Sequence, residues 1–443
     1  MALDLVEVLA KLVSFDTQNN GPKIRPTKDC SEYINSILDE FGFQTDLLES
    51  EGCYTSFGRR GHGAFKILFI AHYDVVPFGE GWKTNPLLLK VEDDKAYGRG
   101  TCDDKGNVVS MLLLAEKLAE SDLPCTAMIA FTGDEEIGGQ NGAKMLRDWL
   151  IKQGLFPNYV VVADGIHQQI IHRRRNILPT IFKIKAKPAK IKGKKETIRF
   201  ETDTYGTDSR HSAYMRPLVD RHAMLTASKY LDLKPETVVA DVRGGFVKSN
   251  VVPGWIEMDV IHPDPSGNEI TYDANLTSTM RLLLAISQAA FPTLHSDKGK
   301  IINPNLLSKE EDLWTLYCDI RAMTNDAEAV KKSMEDAIEG QLEVFSLKTY
   351  AGAGYVQSDP DSRLIKAMRW ALEKEGVSYK LIEGFGGSDS RYFSNQGADL
   401  FDFGPEGDNL HGANEWVSLS SILKNAEVFH RMLEVLSRDK SPV

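Results

Sequence analysis

Between residues 60 and 175, short apolar runs alternate with stretches of helical periodicity. KILFIA (66–71), TAMIAFT (126–132) and NYVVVA (158–163) have the length and unbroken hydrophobicity of strands covered on both faces. KGNVVSMLLLAEKLAE (105–120) and GAKMLRDWLIKQG (142–154), lying between them, predict helices. Together they predict an α/β fold with a mostly parallel sheet flanked by helices. The opening stretch MALDLVEVLAKLVSF also has helical spacing, and Asp4 and Glu7 stand where a signal peptide would be basic, so it predicts an amphipathic helix. After residue 178 the pattern changes. A basic strand region is followed by a helix (LVDRHAMLTASKYL), two extended segments (VVADVRGGFVKSN and GWIEMDVIHP), a second helix (NLTSTMRLLLAISQAAF) and a strand (LWTLYCDIRA). That β-α-β-β-α-β order predicts an inserted ferredoxin-like α+β domain. The α/β pattern then returns in DSRLIKAMRWALEKEG, ADLFDFG and LSSILKNAEVFHRMLEVL. The expected organisation is a first catalytic part over 1–178, an inserted lid over 179–326 and a second catalytic part over 327–443; a chain of 443 residues is long enough for two cores.

Charge narrows the partners. With 52 basic against 63 acidic residues the net charge is −11, which repels nucleic acid and anionic membrane and leaves small molecules or peptides. The basic stretch HRRRNILPTIFKIKAKPAKIKGKKETIRF (172–200) alternates Lys with Ile, Phe and Ala, so it is read as solvated β structure and linker. No apolar run approaches the ~20 residues that span a bilayer. Cys30, Cys53, Cys102, Cys125 and Cys318 are odd in number and form no CxxC pair, which fits a reducing cytoplasm and neither a disulfide framework nor a zinc ribbon.

Each predicted strand of the α/β block runs straight into acidic or imidazole groups. KILFIA leads to His72 and Asp74, TAMIAFT to Asp134, Glu135 and Glu136, NYVVVA to Asp164, and ADLFDFG is followed by His411. Ligands of open parallel sheets bind beyond the carboxyl ends of the strands, so these groups should converge. His, Asp and Glu without Cys are donors of a catalytic metal site, and divalent cations would relieve the repulsion among so many carboxylates. On a strand, Asp74 lies on the side of His72 and can reach its second ring nitrogen, either orienting a metal ligand or satisfying a buried histidine. Asp103 and Asp104, in the Gly-flanked YGRGTCDDKG, can cap the following helix, or one carboxylate can bridge two metals. In TGDEEIGG one glutamate can ligate while the other moves a proton, although an acidic surface turn would look the same. Cys102 has no evident His partner for a thiol nucleophile.

In order along the chain, HYDVVP, YGRGTCDDKG, TGDEEIGG, VVADG, GTDSRHSA, GGSDSRYF and LHGANE resemble the motifs of the co-catalytic zinc amidohydrolases, a family of carnosine-type dipeptidases, aminoacylase, carboxypeptidase G, acetylornithine deacetylase and succinyl-diaminopimelate desuccinylase. The resemblance implies a metal-bearing α/β domain with an inserted ferredoxin-like lid that dimerises. It implies two divalent metals, zinc first with cobalt or manganese also suited, one held by His72 and Asp164, the other by Glu136 and His411, with Asp103 bridging. It further implies Glu135 as general base, Asp74 as orienter of His72, a cis peptide at Asp103–Asp104, and His211 crossing a homodimer interface to stabilise an oxyanion. Arg321, Arg391 and Asn250 match substrate-binding positions, although either arginine could be a structural ion pair and His211 a surface lid residue. The sequence YGTDSRHSAYMRP and the basic strand ahead of it are longer than in compact members of that family.

The expected activity is hydrolysis of amide bonds in small peptides, dipeptidase- or carboxypeptidase-like. DDKG in place of DMKG and Asp164 in place of Glu favour that branch over N-acyl-amino-acid deacylases, which remain the alternative; a non-catalytic binding protein on the same fold is a minor one.

Overall fold

The computed structural model describes residues 2–438 apart from 22, 64, 123, 206–209, 216–218, 298 and 385, and among these every side chain but that of 395. The first four residues of the GTDSRHSA motif (206–209) thus lie outside the described residues. Two compact units emerge: 1–174 with 356–443, and 175–355.

In the first unit a nine-stranded mixed sheet is built on four neighbouring parallel strands: Cys125–Thr132, Phe65–His72, Tyr159–Val162 and Asp399–Asp402. Every side chain from Ile67 to His72 is buried, so this central strand is covered on both faces, which is why its sequence shows no alternation. Ile67, Phe69 and Ala71 share one core with the helices Leu5–Ser14, Lys28–Glu40, Gly106–Ala119, Arg363–Lys374 and Leu419–Ser437. Gly106–Ala119 is apolar almost all round and correspondingly buried. The antiparallel hairpin Gln44–Ser50 and Cys53–Arg60 extends the sheet at one edge.

The second unit carries two antiparallel sheets on one core. Pro188–Glu201, Val238–Gly244 and Trp255–Pro263 pair in the split β-α-β order expected of the insert, with the helices Ala223–Asp232 and Ala274–Ser287 in the same core. The fourth position is taken by Asn268–Asp273, which turns back directly from Trp255–Pro263. The strand expected there, Leu313–Ala322, instead pairs with Thr180–Lys185 and Ile301–Glu310 in the other sheet. The insert also ends later than residue 326. Ser346–Thr349 pairs with Thr180–Lys185, and Val330, Met334 and Ile338 of the helix Ala327–Ile338 enter the second core, so the chain returns to the first unit at 356.

The basic stretch divides in two. Over Thr180–Lys185 the lysines are exposed and Phe182 and Ile184 buried, as the alternation predicts. Arg174 and Arg175, by contrast, are only 6% and 8% exposed and face carboxylates, which corrects their reading as solvated. No helix among the described residues is long and apolar enough to cross a membrane.

Candidate metal centre

The sheet register places the chemistry. His72 is the last residue of its strand and pairs with Thr132, beyond which Gly133 leads into Asp134–Glu136; Ile70 pairs with Val162, two residues before Asp164. Three parallel strands therefore deliver their terminal groups to one edge. Asp103 arrives from a wide helical turn over Thr101–Lys105 in which it alone leaves helical backbone angles (φ −128°, ψ 83°), and the Asp103–Asp104 peptide is cis. Gly106 closes this turn against the Thr101 carbonyl, where a Cβ would stand 2.4 Å from the oxygen. His411 comes from a loop after Asp399–Asp402 and holds a left-handed backbone, φ 61°.

Asp103 is the centre of the arrangement. Its Oδ1 lies 3.0 Å from His72 Nε2 and its Oδ2 3.0 Å from His411 Nε2. His411 Nε2 is also 3.2 Å from the buried Glu136 Oε1. Donor atoms of His72, Asp103 and Asp164 lie within 4.8 Å of one another, as do those of Asp103, Glu136 and His411. Two donors on one tetrahedral zinc at 2.0–2.1 Å are about 3.3 Å apart, so these spacings fit two cations sharing Asp103. Asp104 turns the other way: its carboxylate accepts the His72 N–H (3.1 Å) and the Asn107 side-chain amide (2.6 Å), so the adjacent aspartates divide between the site and the local fold.

The electrostatics fit the same group. Against the effect of burial, hydrogen bonds to Asp103 and Asp74 hold the His72 imidazole well above its ordinary value. The Glu136 charge, opposed by burial and joined by Asp103, does the same for His411. Burial and then the Asp164 charge push the Glu135 carboxyl well up, and burial raises Asp164 to about 6 despite Arg174. Burial and mutual charge thus favour the protonated forms of His72, His411, Glu135 and Asp164, a balance that divalent ions among the same oxygens and nitrogens would invert.

Asp74 lies just beyond the strand. The chain leaves the sheet after His72, so strand periodicity does not govern it, and His72 Nδ1 is 3.0 Å from the Asp74 carbonyl and 3.4 Å from its carboxylate. That carboxylate mainly accepts the N–H groups of Glu135 (3.1 Å) and Glu136 (3.2 Å) and the Asn19 side-chain amide (3.0 Å). Arg391 Nη2 faces Glu135 Oε1 at 3.8 Å. The other three expected site residues belong to the second unit. Asn250 Nδ2 meets His211 Nε2 at 3.2 Å, His211 Nδ1 accepts the Ala213 N–H, and the His211 ring packs on Tyr214. Arg321 is 3% exposed with its Nε 3.1 Å from the Asp319 carboxylate.

Sequence reasoning missed the supports behind these groups. Arg174 Nε contacts the Asp402 carboxylate while its Nη2 donates to the Asp164 carbonyl at 2.6 Å, fixing the chain that carries Asp164. Asn19 gave no signal at all. Glu415 lay in plain view as the last residue of LHGANE, yet only its contacts reveal its part.

The model of peptidase family M20/M25/M40 matches residues 68–435. Among curated relatives, the succinyl-diaminopimelate desuccinylase of Nautilia profundicola is 24% identical over 451 residues, spanning 98% of this chain and 99% of the relative. That of Wolinella succinogenes is 25% identical over 445 residues, spanning 95% and 97%. Among solved structures, aminoacylhistidine dipeptidase from Vibrio alginolyticus aligns with a TM-score of 0.70 at 15% identity, covering 97% of this chain and 96% of that one. Human carnosine dipeptidase 1 aligns with a TM-score of 0.62 at 14% identity, covering 98% and 96%. At such identities the structural likeness speaks for the fold.

Proposed function

Because the chain belongs to peptidase family M20/M25/M40, we propose that it is a dinuclear-metal-dependent hydrolase of amide bonds in small peptides. The observation that carries this is Asp103, whose two carboxylate oxygens each stand 3.0 Å from the Nε2 of a different histidine. His72 and Asp164 would hold one cation, Glu136 and His411 the other, and Asp103 both. Zinc suits this donor set, as do cobalt and manganese. When bound, two such ions polarise a carbonyl and lower the pKa of water toward ~7.

The side chains account for the remaining chemistry. Glu135, 14% exposed at the edge of the cluster, takes a proton from the attacking water and returns it to the leaving nitrogen. Asp74 holds the Glu135 and Glu136 main chain, and thereby aims both carboxylates. Arg391 faces Glu135, and its guanidinium fork would suit a substrate carboxylate. His211, with Asn250 beside it, donates to the oxyanion of the tetrahedral intermediate, reaching a partner's site in a homodimer formed through the lid.

The substrate class has two readings. Asp164 and DDKG favour a peptide, whereas the desuccinylase names of the curated relatives favour an N-acyl amino acid. A panel of dipeptides, acetyl- and succinyl-amino acids assayed on metal-loaded protein separates them: dipeptide hydrolysis is expected, and turnover of acylated compounds alone would contradict it. Glu135→Gln should lower kcat by about 10²–10⁴-fold with metal content unchanged; retained activity would remove Glu135 as the base.

A further inference from the structure

One buried ion pair behind the ligands has no part in the chemistry above. Arg99 and Glu415 are 1% and 0% exposed, and Arg99 Nη1 meets Glu415 Oε2 at 2.6 Å. The same Oε2 accepts the Gly100 N–H at 2.9 Å, while Oε1 accepts the N–H groups of Cys102 and Asp103, both at 2.9 Å. Four donors use all four acceptor sites of the carboxylate. Arg99 reaches onward: its Nη2 lies 3.1 Å from the Phe78 carbonyl and 3.4 Å from those of Pro77 and His411, and its guanidinium stacks over the Trp82 ring at 5.1 Å. Asn414 adds a second tie, accepting from the Lys83 N–H at 2.9 Å and donating to the Gly81 carbonyl at 3.2 Å. Three loops distant in sequence therefore meet at one ion pair. Stability is a poor reason for such a pair, since packed apolar residues of similar volume often serve a core as well or better.

The two histidines differ in what else holds them. His72 ends a buried strand and is pinned at both its N–H and its Nδ1. His411 has a side chain 41% exposed, on a loop with left-handed backbone. Glu415 grips the Asp103 main chain through its N–H, Arg99 lies against the His411 main chain at its carbonyl, and the ion pair joins the two grips. We propose that Arg99 and Glu415 are positioning residues, a latch that sets the distance between His411 and Asp103 and so shapes the site of the cation those two share with Glu136. This rests on the dinuclear reading. Loosening the latch should weaken that cation selectively and leave the one beside His72 and Asp164 nearly as tight as before.

Glu415→Gln tests this, because it conserves volume while turning an amide NH₂ against two of the four donors. The measurement is zinc uptake by competition with a chromophoric chelator, with the visible absorption of the cobalt-loaded protein as a second readout. The parent should take up two ions. In the variant one ion should bind as in the parent and the other about 10–100-fold more weakly, with kcat recovering toward the parent as metal is raised to saturation. Arg99→Lys keeps a positive charge beside Glu415 but cannot serve both Glu415 and the His411 carbonyl, so it should show the same selective loss; it decides the matter alone if Glu415→Gln does not fold. A folded variant that binds both ions within twofold of the parent, or weakens both equally, overturns the latch while leaving the dinuclear reading intact. A parent that takes up fewer than two ions removes that reading, and the latch with it.

Discussion

Two pairs of histidines, one pair in each unit, meet different partners. In the first unit His72 and His411 face carboxylates, with Asp103 between them, and both imidazoles are held well above their ordinary value. In the second unit burial presses His222 down to about 3, and its Nδ1 accepts the Met224 N–H at the start of the helix Ala223–Asp232. His211 likewise accepts a main-chain N–H, from Ala213, and meets the Asn250 amide. One pair is placed to hold positive charge among negative oxygens, whether carried by protons or by metal. In the other, each Nδ1 accepts a main-chain N–H two residues on. The same side chain faces carboxylates in one place and main-chain N–H groups in another, according to the partners that the fold delivers.

That contrast can be broken from either side. The largest effect is expected from His211→Ala, which removes the proposed oxyanion donor and should lower kcat by about 10²–10³-fold with both metals retained; loss of metal would show that His211 belongs with the first pair. Next comes Asp74→Asn. Its carboxylate serves Glu135, Glu136 and Asn19 as well as His72, so the variant should bind metal about 10–100-fold more weakly in chelator competition. Unchanged affinity would mean that the acidic surroundings of His72 do not prepare it as a ligand.

The smallest effect is on stability. His222 stays neutral in the folded protein down to about pH 3, whereas an unfolded chain protonates it near its ordinary 6.5. Between those values the unfolded state binds more protons, so the stability His222 contributes above 6.5 is lost as the pH falls, by at most about 1.4 kcal/mol per pH unit. His222→Asn keeps an acceptor at the helix start and removes the titration. Denaturant unfolding of the variant at pH 7, 5 and 4 should therefore show a shallower pH dependence than the parent; identical slopes would contradict a buried neutral His222.

Much of the candidate centre was legible because each strand end carries its own signal: KILFIA stops at His72, NYVVVA at Asp164, and TAMIAFT leads into Glu135 and Glu136. The supports were not legible, because their partners are remote. Nothing near Arg174 in sequence announces Asp402, 228 positions away, and nothing near Glu415 announces Asp103, 312 positions away. A run of arginines reads as solvated until the carboxylates facing it are known. The late end of the insert was hidden for a related reason: the amphipathic helix Ala327–Ile338 would suit either core, and only the pairing of Ser346–Thr349 with Thr180–Lys185 assigns the segment. Asp74 stands 3.4 Å from His72 Nδ1, but not through strand periodicity, since the strand whose period was invoked has already ended at His72.

The central claim is that Asp103 is shared by two cations. Anomalous scattering from crystals grown with ample zinc tests it most directly. Two peaks about 3.5–4 Å apart are predicted, one at ~2.0–2.2 Å from His72, Asp103 and Asp164 and the other at that distance from Asp103, Glu136 and His411. Absence of both peaks, or peaks elsewhere with these five side chains apart, would contradict it.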